Sequence, residues 1–477
     1  MTLRKTKIVA TLGPSSSSEE MLARMITAGV NVARLNFSHG TAEEHIKRAE
    51  IVRSIAAKLG RPVGVLCDLQ GPKIRIGKFE LGKVALKMGD IFILDADCEL
   101  GNQDHVGLDY KALPQEVSAG DVLLLDDGRI TMQVDRVKGN QIHCLVLNGG
   151  VLSNNKGINR QGGGLSADAL TKKDREDIKT AVKLEADYIA MSFPKNALDV
   201  ELARTLVKKA GGNSSIIAKI ERAEAIENLE AIIESSDAIM VARGDLGVEV
   251  GDAAVPGLQK RMIRMARAQN KLVITATQMM ESMITSPIPT RAEVSDVANA
   301  VLDGTDAVML SAETAAGQYP LETVQAVHRV VMEAEKEYIN QYHAQKSDQV
   351  FMKTDEAVAA AAIYTAKHLK VKAIAALTQS GNAAQWLSRA DAEVPIYALS
   401  PDKFARRKLT LHRGVYPFPI EQGSKKRDEV LNEMEQVLLK ERAVSTGDLV
   451  LFTFGEPIGA PGGTNTLKIV KIGEQKN

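Results

Sequence analysis

Two short stretches decide the fold class of this chain: Ile216-Ile217-Ala218-Lys219-Ile220-Glu221 and Met240-Val241-Ala242-Arg243-Gly244-Asp245-Leu246-Gly247. Each is an apolar run that ends in charged residues. Side chains alternate between the two faces of a strand, so Lys219 and Glu221 share one face. The second run passes into a turn bracketed by glycines, which is expected to deliver Asp245 at its tip. Two carboxylates and one ammonium at neighbouring strand ends would suit a hard divalent cation holding an anionic, oxygen-rich substrate.

The order of elements along the chain favours this interpretation over an ordinary surface ion pair beside a plain turn. Helical patterns separate the apolar, β-branched runs, and one of them, from Thr41 to Leu59, begins with the capping-box pair Thr41 and Glu44. Eight strands alternating with helices indicate a (β/α)8 TIM barrel, whose active site lies at the carboxyl ends of the strands. The predicted strands cover residues 6–12, 31–36, 62–68, 187–193, 216–221, 237–242, 271–276 and 306–310.

Polar side chains follow nearly every one of these predicted strands. Because the carboxyl ends of barrel strands meet on one face, these side chains are expected to form a single site. A barrel that served only as a scaffold would not need them at so many ends. They are Asn36 with Ser38 and His39, Asp68, Ser192, Lys219 with Glu221, Asp245, Thr275 with Thr277, and Ser311 with Glu313.

The length of 477 residues leaves room for two further domains beside a barrel of about 250 residues. Short apolar runs alternate with Gly, Asp and Asn turns between the third and fourth strands, which predicts an inserted all-β domain at 71–170. A polar stretch at 345–349 precedes a new α/β alternation. We therefore expect a catalytic barrel from 1–70 and 171–344, and a C-terminal α/β domain at 345–477.

Charge and hydropathy exclude several classes of protein. Lys plus Arg equals Asp plus Glu at 60 each, so no net field favours nucleic acid or an anionic membrane. No apolar stretch approaches the roughly 20 residues of a membrane span. The three cysteines lack the spacing of a metal site and fit reduced thiols. A cytoplasmic protein without nucleic-acid or membrane partners is expected.

Six motifs make the chain resemble the pyruvate kinase family along essentially its whole length. The resemblance implies a barrel, a mobile β-rich lid inserted after its third strand and a C-terminal regulatory domain. It also implies the glycolytic transfer of a phosphoryl group from phosphoenolpyruvate to ADP, giving pyruvate and ATP. The motifs are residues 6–14 (TKIVATLGP), 31–40 (NVARLNFSHG), 68–75 (DLQGPKIR), 218–221 (AKIE), 242–247 (ARGDLG) and 276–283 (ATQMMESM).

The resemblance assigns catalytic and substrate-binding roles to named positions. It implies that Glu221 and Asp245 hold Mg2+, with Mn2+ as a substitute, and that Lys219 and Arg34 contact the transferring phosphoryl group. Positive charge is what this reaction needs, because losing the phosphoryl group leaves an enolate. Thr277 is the position associated with proton delivery to that enolate, through ordered water. The resemblance further implies that backbone N–H groups bind the substrate carboxylate at Ala242, Arg243, Gly244 and Asp245.

A departure from the best-known family pattern concerns a monovalent cation. Members that require K+ usually have Thr at the position of Leu69 and Glu at that of Lys73, and this chain has neither. Exchanging a carboxylate for an ammonium changes the local charge by two units, so Lys73 is predicted to replace K+ beside Asp68. The resemblance therefore implies a K+-independent enzyme. The K+ ligands of the family correspond to Asn36, Ser38, Asp68 and the carbonyl of Leu69.

The resemblance further suggests that ADP, arriving with a second Mg2+, contacts His39, Arg75 and Lys195. A turn-capping role is the alternative for His39. The family often has a basic pair where this chain has Lys195-Asn196.

The C-terminal domain carries its own signal in Thr378-Gln379-Ser380-Gly381-Asn382, between a predicted strand and a helix. Hydroxyls and free amides facing outward at a helix N-terminus would cradle a phosphate. In the family this loop binds a phosphorylated activator, often with a basic residue where this chain has Asn382. Less positive charge favours a sugar monophosphate or AMP over a bisphosphate. The resemblance also implies a homotetramer.

Two alternatives remain open on the sequence alone. A different Mg2+-dependent barrel enzyme of pyruvate chemistry, such as an aldolase, would share the paired carboxylates but has no use for Lys219, a large lid or an ADP site. A silent metabolite-binding protein with the same fold would not need Lys219, Glu221, Asp245 and Arg34 intact.

Overall fold

The structure, a computed structural model, describes residues 3–341, 351–421, 426–458 and 463–474. It contains a closed barrel, a separate β-rich domain and a C-terminal α/β domain, which confirms the predicted fold class. The polar stretch at 345–349 lies outside the described residues, so the predicted domain boundaries stay predictions.

Eight parallel strands close the barrel, and the first strand pairs with both the second and the eighth. All eight predicted strands are present, most of them a residue or two shorter than predicted. They are Lys7–Thr11, Val32–Asn36, Gly64–Asp68, Tyr188–Met191, Ser215–Ile220, Ala238–Ala242, Leu272–Ala276 and Ala307–Leu310.

The predicted alternation of side chains holds in the fifth barrel strand, Ser215–Ile220. Ile216, Ala218 and Ile220 pack into the core between the strands and the surrounding helices. Ile217 belongs instead to the cluster that fills the barrel interior. By the period of two, Lys219 and the following Glu221 continue the interior face, at the carboxyl end of the strand.

Helices surround the barrel, and their starts follow the capping signals in the sequence. Thr41 accepts a hydrogen bond from the Glu44 amide while the Glu44 carboxylate accepts one from the Thr41 amide, which confirms the predicted capping box. The helices are Glu19–Ala28, Ala42–Lys58, Lys172–Lys183, Ala197–Lys209, Ala223–Glu227, Leu229–Ser235, Arg243–Val250, Val255–Ala268, Arg291–Leu302, Ala312–Ala315 and Pro320–Gln341, with 3-10 turns at Pro14–Ser16, Asp252–Ala254 and Glu281–Ile284.

The β-rich domain, called the lid below, is built on a six-stranded sheet around its own apolar core. In spatial order that sheet contains Ile158–Arg160, Val122–Leu125, Ile130–Lys138, Gln141–Asn148, Ile91–Asp95 and His105–Gly107. Two short pairs, Lys83–Leu86 with Gly150–Ser153 and Lys78–Phe79 with Leu100–Gly101, and the helix Leu113–Glu116 complete it.

One buried carboxylate joins the two connections between lid and barrel. Asp174 accepts a hydrogen bond from the amide of Gly71, on the outgoing connection, at 3.1 Å. Its other oxygen accepts from the amide and hydroxyl of Thr171, on the returning connection, at 2.8 and 2.7 Å. Asp174 is fully buried, so both lid connections are fixed at one point of the barrel.

The C-terminal domain is a five-stranded sheet between helices. In spatial order its strands are Val415–Pro419, Ile396–Ser400, Ala373–Leu377, Leu449–Phe454 and Thr466–Lys471, and only the last runs antiparallel to its neighbour. Its helices are Thr354–Leu369, Asn382–Arg389, Lys403–Leu409 and Arg427–Lys440.

A fourfold pattern of polar residues organises the opposite, amino-terminal face of the barrel. Asn31, Asp187, Asp237 and Asp306 each precede an even-numbered strand, and each accepts a hydrogen bond from the amide of the odd-numbered strand beside it. Arginines pair with all four residues. Arg4 binds Asn31, Arg204 binds Asp237 and Arg389 binds Asp306. Asp187 is bound by two arginines, Arg53 and Arg407. Arg407 and Arg389 come from the C-terminal domain, so two of the four pairs fix that domain to the barrel.

Among the described residues, no helix combines the length and apolar character needed to cross a lipid bilayer.

Candidate active site

A largely buried lysine lies at the carboxyl-terminal face of the barrel. The Lys219 ammonium lies 2.8 Å from a Glu221 oxygen and 3.3 Å from an Asp68 oxygen. Its side chain is 12% exposed, and those of the two carboxylates are almost completely buried. The structure therefore brings together three candidates that the sequence had placed at the ends of two strands.

Arg34 completes this cluster from the second barrel strand. Its guanidinium binds Asp68 through Nε at 2.8 Å and Nη2 at 2.7 Å, while Nη1 donates to the Thr11 hydroxyl at 2.8 Å. A guanidinium held on two sides keeps a fixed orientation. Thr11 was not among the predicted site residues, although it too ends a barrel strand.

Burial and mutual charge determine how these groups ionise. Burial raises the pKa of Glu221 to about 7, the Lys219 charge acts against this rise, and the Asp245 charge adds to it. Burial acts against the charge on Lys219, but Asp68 and Glu221 outweigh it and raise the pKa of that ammonium. For Asp68, burial is outweighed by Lys219 and Arg34, so its pKa is lowered. Lys219 and Asp68 are therefore charged at neutral pH.

Asp245 lies in the first turn of the helix Arg243–Val250, not at the tip of a turn as the sequence analysis expected. The two glycines around it have no positive φ, so they do not bend the chain. The Arg243 side chain anchors this turn by donating to the carbonyls of Ala276, at 3.1 Å, and Thr277, at 2.6 Å. The neighbouring strand therefore fixes the chain in a helical path.

Lys73 pairs with Asp245 and not with Asp68, where the sequence argument had placed it. Its ammonium lies 3.1 Å from Asp245 and 3.6 Å from Asp127 of the lid. Burial acts against its charge, but these two carboxylates outweigh it and raise the pKa of Lys73. Lys73 does not pair with Asp68 because Arg34 and Lys219 already bind that carboxylate. The chain also turns at Gly71, with φ +69°, before it reaches Lys73.

Thr277 lies against the start of the same helix. Its hydroxyl donates to the Ala276 carbonyl at 2.6 Å and accepts from the Gly244 amide at 2.9 Å. Thr277 has φ +67°, a conformation that is rare and costly for a β-branched residue and that clusters at functional sites. The threonine, Ala242 and the helix start are thus brought together as expected.

The residues of the expected monovalent-cation site already have partners. The Leu69 carbonyl accepts from the Ser192 hydroxyl at 2.8 Å, and the Asn36 side-chain oxygen accepts from the Ser38 amide at 3.1 Å. Asp68 is bound by Arg34 and Lys219.

The three nucleotide candidates lie on different segments around this face. The His39 side chain is exposed, and its carbonyl contacts the His45 ring at 2.9 Å. Arg75 donates to the Asn155 carbonyl within the lid at 2.9 Å. Lys195 donates to carbonyls of the returning lid connection, at Ser166 and Ala167. Asn196, found where the family often has a second basic residue, caps the helix Ala197–Lys209.

The expected effector loop differs from the prediction at two residues, Thr378 and Gly381, which are both buried and bonded to each other. Thr378 does not face outward: it is buried, and its hydroxyl accepts from the Gly381 amide at 3.0 Å. It closes the turn before the helix Asn382–Arg389, and Gly381 at φ +98° makes this turn. Gln379, Ser380 and Asn382 are exposed as expected.

Two acidic side chains, Glu221 and Asp245, are available for a metal at this face. In the parts of the chain that the structure describes, no three His, Cys, Asp or Glu residues form a metal-binding group. Mg2+ commonly binds one or two protein carboxylates and takes its other ligands from substrate and water. The Asp245 charge also raises the pKa of Glu221, a repulsion that a divalent cation would relieve. The residues present therefore fit Mg2+.

Comparisons with known proteins agree with this geometry. The family model "Pyruvate kinase, barrel domain" matches residues 3–324, and "Pyruvate kinase, alpha/beta domain" matches residues 356–470. The chain is 54% identical to a pyruvate kinase of Haemophilus influenzae over 95% of its own length and 96% of that protein. It is 52% identical to pyruvate kinase II of Salmonella typhimurium, covering 98% of this chain and 99% of that protein.

A solved structure agrees as well. The crystal structure of a pyruvate kinase from Cryptosporidium parvum superposes with a TM-score of 0.92 at 37% identity, covering 98% of this chain and 96% of that one. Family models that span most of the chain, and relatives more than half identical over nearly its full length, lead to one conclusion: the chain belongs to the pyruvate kinase family of phosphotransferases.

Proposed function

We propose that this enzyme transfers the phosphoryl group of phosphoenolpyruvate to ADP, giving pyruvate and ATP, at the cluster around Lys219. The observation that carries the proposal is a largely buried, charged lysine placed between two carboxylates and close to a fixed arginine. Phosphoryl transfer depends on positioning and charge stabilisation, and a preorganised cation in a site that excludes water supplies both. Lys219 stabilises the phosphoryl group as it moves, and Arg34 holds the same group.

Mg2+ bound by Glu221 and Asp245 would neutralise substrate oxygens and the charge that develops as the phosphoryl group leaves. Mn2+ would serve in its place, and a second Mg2+ would accompany ADP. Before the metal binds, Lys73 balances the charge of Asp245 at 3.1 Å. The ammonium of Lys73 therefore has to give way at Asp245 when the metal is loaded.

The start of the helix Arg243–Val250 binds the substrate carboxylate in this proposal. The first amides of a helix lack intrahelical partners and attract an anion. Thr277 fixes the start of this helix, since its hydroxyl accepts from the Gly244 amide at 2.9 Å, and that amide would have to exchange this bond for one to the substrate carboxylate. A hydroxyl is a weak acid at neutral pH, so proton delivery to the enolate at this position runs through ordered water.

The lid supplies the nucleotide side of the site. Arg75 of the lid, Lys195 beside the returning lid connection and His39 on the barrel are the candidate ADP contacts. In the described structure, Arg75 and Lys195 donate to backbone carbonyls, which would have to exchange for phosphate oxygens when ADP binds.

K+ is not required in our proposal, and the balance of charge supports this. Three cations, Arg34, Lys219 and Lys73, face four carboxylates, Asp68, Glu221, Asp245 and Asp127 of the lid. A glutamate in place of Lys73 would leave two cations facing five carboxylates, a larger deficit that a bound monovalent cation would reduce.

Regulation and assembly complete the proposal. A sugar monophosphate or AMP binds the exposed Gln379, Ser380 and Asn382 and activates the enzyme, and the enzyme acts as a cytoplasmic homotetramer. The N-terminus of the helix Asn382–Arg389 supports phosphate binding there. The lid at 71–170 and the C-terminal domain at 345–477 are the proposed domains.

The direct test is ATP formation. The enzyme is incubated with Mg2+, phosphoenolpyruvate and ADP, and pyruvate and ATP are measured separately. Equal amounts of the two products are expected, and neither should form without ADP. Pyruvate released without ATP would contradict the proposal. An aldolase would instead release pyruvate from a hydroxylated keto acid and form no ATP.

A further inference from the structure

Ser192 lies between the candidate catalytic lysine and the start of the lid. It follows the fourth barrel strand, Tyr188–Met191, and is 1% exposed. Its hydroxyl oxygen lies 2.8 Å from the Lys219 ammonium and 2.8 Å from the Leu69 carbonyl oxygen. One buried hydroxyl thus contacts both the centre of the site and the outgoing lid connection.

The directions of these two hydrogen bonds follow from the chemistry of the groups. A lysine ammonium can only donate, so the Ser192 oxygen accepts from Lys219. A carbonyl can only accept, so the single proton of the hydroxyl goes to Leu69. The two bonds polarise each other, because a hydroxyl that donates becomes a better acceptor. The ammonium therefore has three defined acceptors, namely Glu221, Asp68 and Ser192.

The backbone around Ser192 is fixed on both sides. The Phe193 amide donates to Glu221 at 2.9 Å, with Phe193 held at φ +58°. The Leu69 amide donates to the Ala190 carbonyl at 2.9 Å. A Cβ at Gly71 would come within 2.6 Å of the Ser192 Cβ, so only a glycine lets the lid connection lie this close.

We propose that Ser192 is a positioning residue that orients the Lys219 ammonium and ties it to the lid connection at Leu69–Gly71. The proposal rests on the role given to Lys219 under the proposed function, and it assigns Ser192 no contact with substrate. Without this hydroxyl the ammonium is shared between two carboxylates alone. It is then drawn toward them and away from the phosphoryl group. Turnover depends on that position, whereas phosphoenolpyruvate binding depends mainly on Arg34, the metal and the helix start.

The test is Ser192→Ala in the full-length enzyme, with ADP and Mg2+ at saturation and phosphoenolpyruvate varied so that kcat and KM are both obtained. We expect kcat to fall about tenfold to a hundredfold, the range for loss of orientation of one preorganised charge, with KM for phosphoenolpyruvate changed by less than about threefold. A kcat within about twofold of the wild type would overturn the inference. A large rise in KM with kcat unchanged would also overturn it, since that pattern indicates a substrate-binding role.

The matched control is Ser214→Ala, which removes a buried hydroxyl between the same two barrel strands at their opposite end. Ser214 donates to the Ala186 carbonyl at 2.6 Å and lies at the amino-terminal face. The Ser214→Ala variant should keep kcat within about twofold of the wild-type value, because a structural hydrogen bond far from the site affects stability and not turnover. Far-UV circular dichroism and melting curves show whether both variants fold. If Ser192→Ala does not fold, Ser192→Cys replaces it, with the same fall in kcat expected because a thiol is a weak acceptor.

A double-variant cycle separates this inference from the role of Lys219. If Ser192 acts through Lys219, adding Ser192→Ala to Lys219→Met should change kcat by less than about twofold. If the fold-decrease in kcat of the double variant equals the product of the two single-variant decreases, Ser192 acts independently of Lys219 and the inference is overturned. A Lys219→Met enzyme with near wild-type kcat would instead overturn the proposed function.

Discussion

The ammonium of Lys219 and the carboxylate of Glu221 lie 2.8 Å apart at the carboxyl end of a barrel strand, where the lysine side chain is 12% exposed and the glutamate is buried. Glu221 therefore has two tasks in our account: it orients the lysine through one oxygen and offers charge to a metal shared with Asp245. Its second oxygen accepts from the Phe193 amide at 2.9 Å, which fixes the plane of the carboxylate. A carboxylate held in this way is preorganised for both tasks.

Glu221→Gln and Asp245→Asn should each raise the Mg2+ concentration needed for half-maximal activity steeply. A neutral amide is a much poorer ligand for a hard cation than a carboxylate. The measurement is the initial rate as a function of free Mg2+. Asp303→Asn is the matched control, because that carboxylate pairs with Lys260 just before the eighth strand, at the opposite end of the barrel. An unchanged Mg2+ requirement in both site variants would remove them from the metal site.

The enzyme should be substantially active with Mg2+ and a large organic cation as the only monovalent ion, with little stimulation by K+. Lys73→Glu, alone or with Leu69→Thr, should lose activity and recover part of it when K+ is added, because the variant lacks positive charge near Asp245. Lys156→Glu provides the control, since Lys156 pairs with Asp126 in the lid. Activity of the unmodified enzyme that appears only with K+ would disprove this prediction.

Activation by a phosphorylated metabolite should depend on the exposed part of the loop at 378–382. Thr378 is not chosen for substitution, because it is buried and its hydroxyl closes the turn. Ser380→Ala with Asn382→Asp should weaken activation by a sugar monophosphate or AMP at least about tenfold by adding a charge that repels phosphate. Turnover at saturating substrate should stay nearly intact, because the sites are distinct.

Activation is measured from the rate at subsaturating phosphoenolpyruvate across a panel of sugar phosphates and AMP. Ser445→Ala, an exposed serine elsewhere in the same domain, is the control. An unchanged response of the double variant to the same activator concentration would move the effector site elsewhere.

Stability should depend on pH through Lys7, a buried lysine at the start of the first barrel strand. Burial, with a further contribution from the Arg4 charge, lowers the pKa of Lys7 to about 7, although its ammonium donates to the Val415 carbonyl at 2.6 Å. Between this pKa and the ordinary value of about 10.5, the unfolded chain binds more protons than the folded one. The wild type should therefore gain stability as pH rises through this window, by at most about 1.4 kcal/mol per pH unit.

The comparison is with Lys7→Met, which removes this titration. The melting temperature of the wild type should rise relative to Lys7→Met from pH 6.5 to 9.5, whereas the difference between the wild type and Lys58→Met, at an exposed helix position, should stay constant. A melting-temperature difference between the wild type and Lys7→Met that does not change with pH would contradict the prediction, because it would mean that Lys7 has the same pKa in the folded and unfolded chain.

The barrel was predictable because its signals are local. Each strand is a short β-branched run, and Thr41 with Glu44 marks a helix start through neighbouring residues. That Lys219 and Glu221 share one face followed from the period of a strand alone.

The errors arose where distant contacts decide the local structure. Gly244 was expected to lie in a turn, but the chain is helical there, and the Arg243 side chain holds it by donating to the Ala276 and Thr277 carbonyls. Lys73 was placed beside Asp68 by analogy with the K+ site of the family, but Arg34 and Lys219, from other strands, already pair with Asp68. Ser192 was noted only as a polar strand end, because its two partners lie far away in sequence.

One signal in the sequence was visible but not used. Asp187, Asp237 and Asp306 each follow a small residue and precede an apolar strand, and Asn31 stands in the same place before the second strand. These four residues were not predicted to have a role, because only the polar residues that follow each strand were considered. They bind the backbone and arginines at the opposite face, so they contribute to the fold and the attachment of the C-terminal domain rather than to chemistry.

The central claim, that Lys219 stabilises the transferring phosphoryl group, is tested most directly by kcat for ATP formation in Lys219→Met. Lys271→Met serves as the control, since Lys271 donates to the Glu234 and Ser236 carbonyls at the opposite face. We predict that Lys219→Met loses about a thousandfold or more, equivalent to about 4 kcal/mol of transition-state stabilisation, while phosphoenolpyruvate still binds and Lys271→Met stays near the wild type. Retention of a tenth of wild-type kcat by Lys219→Met would contradict the account.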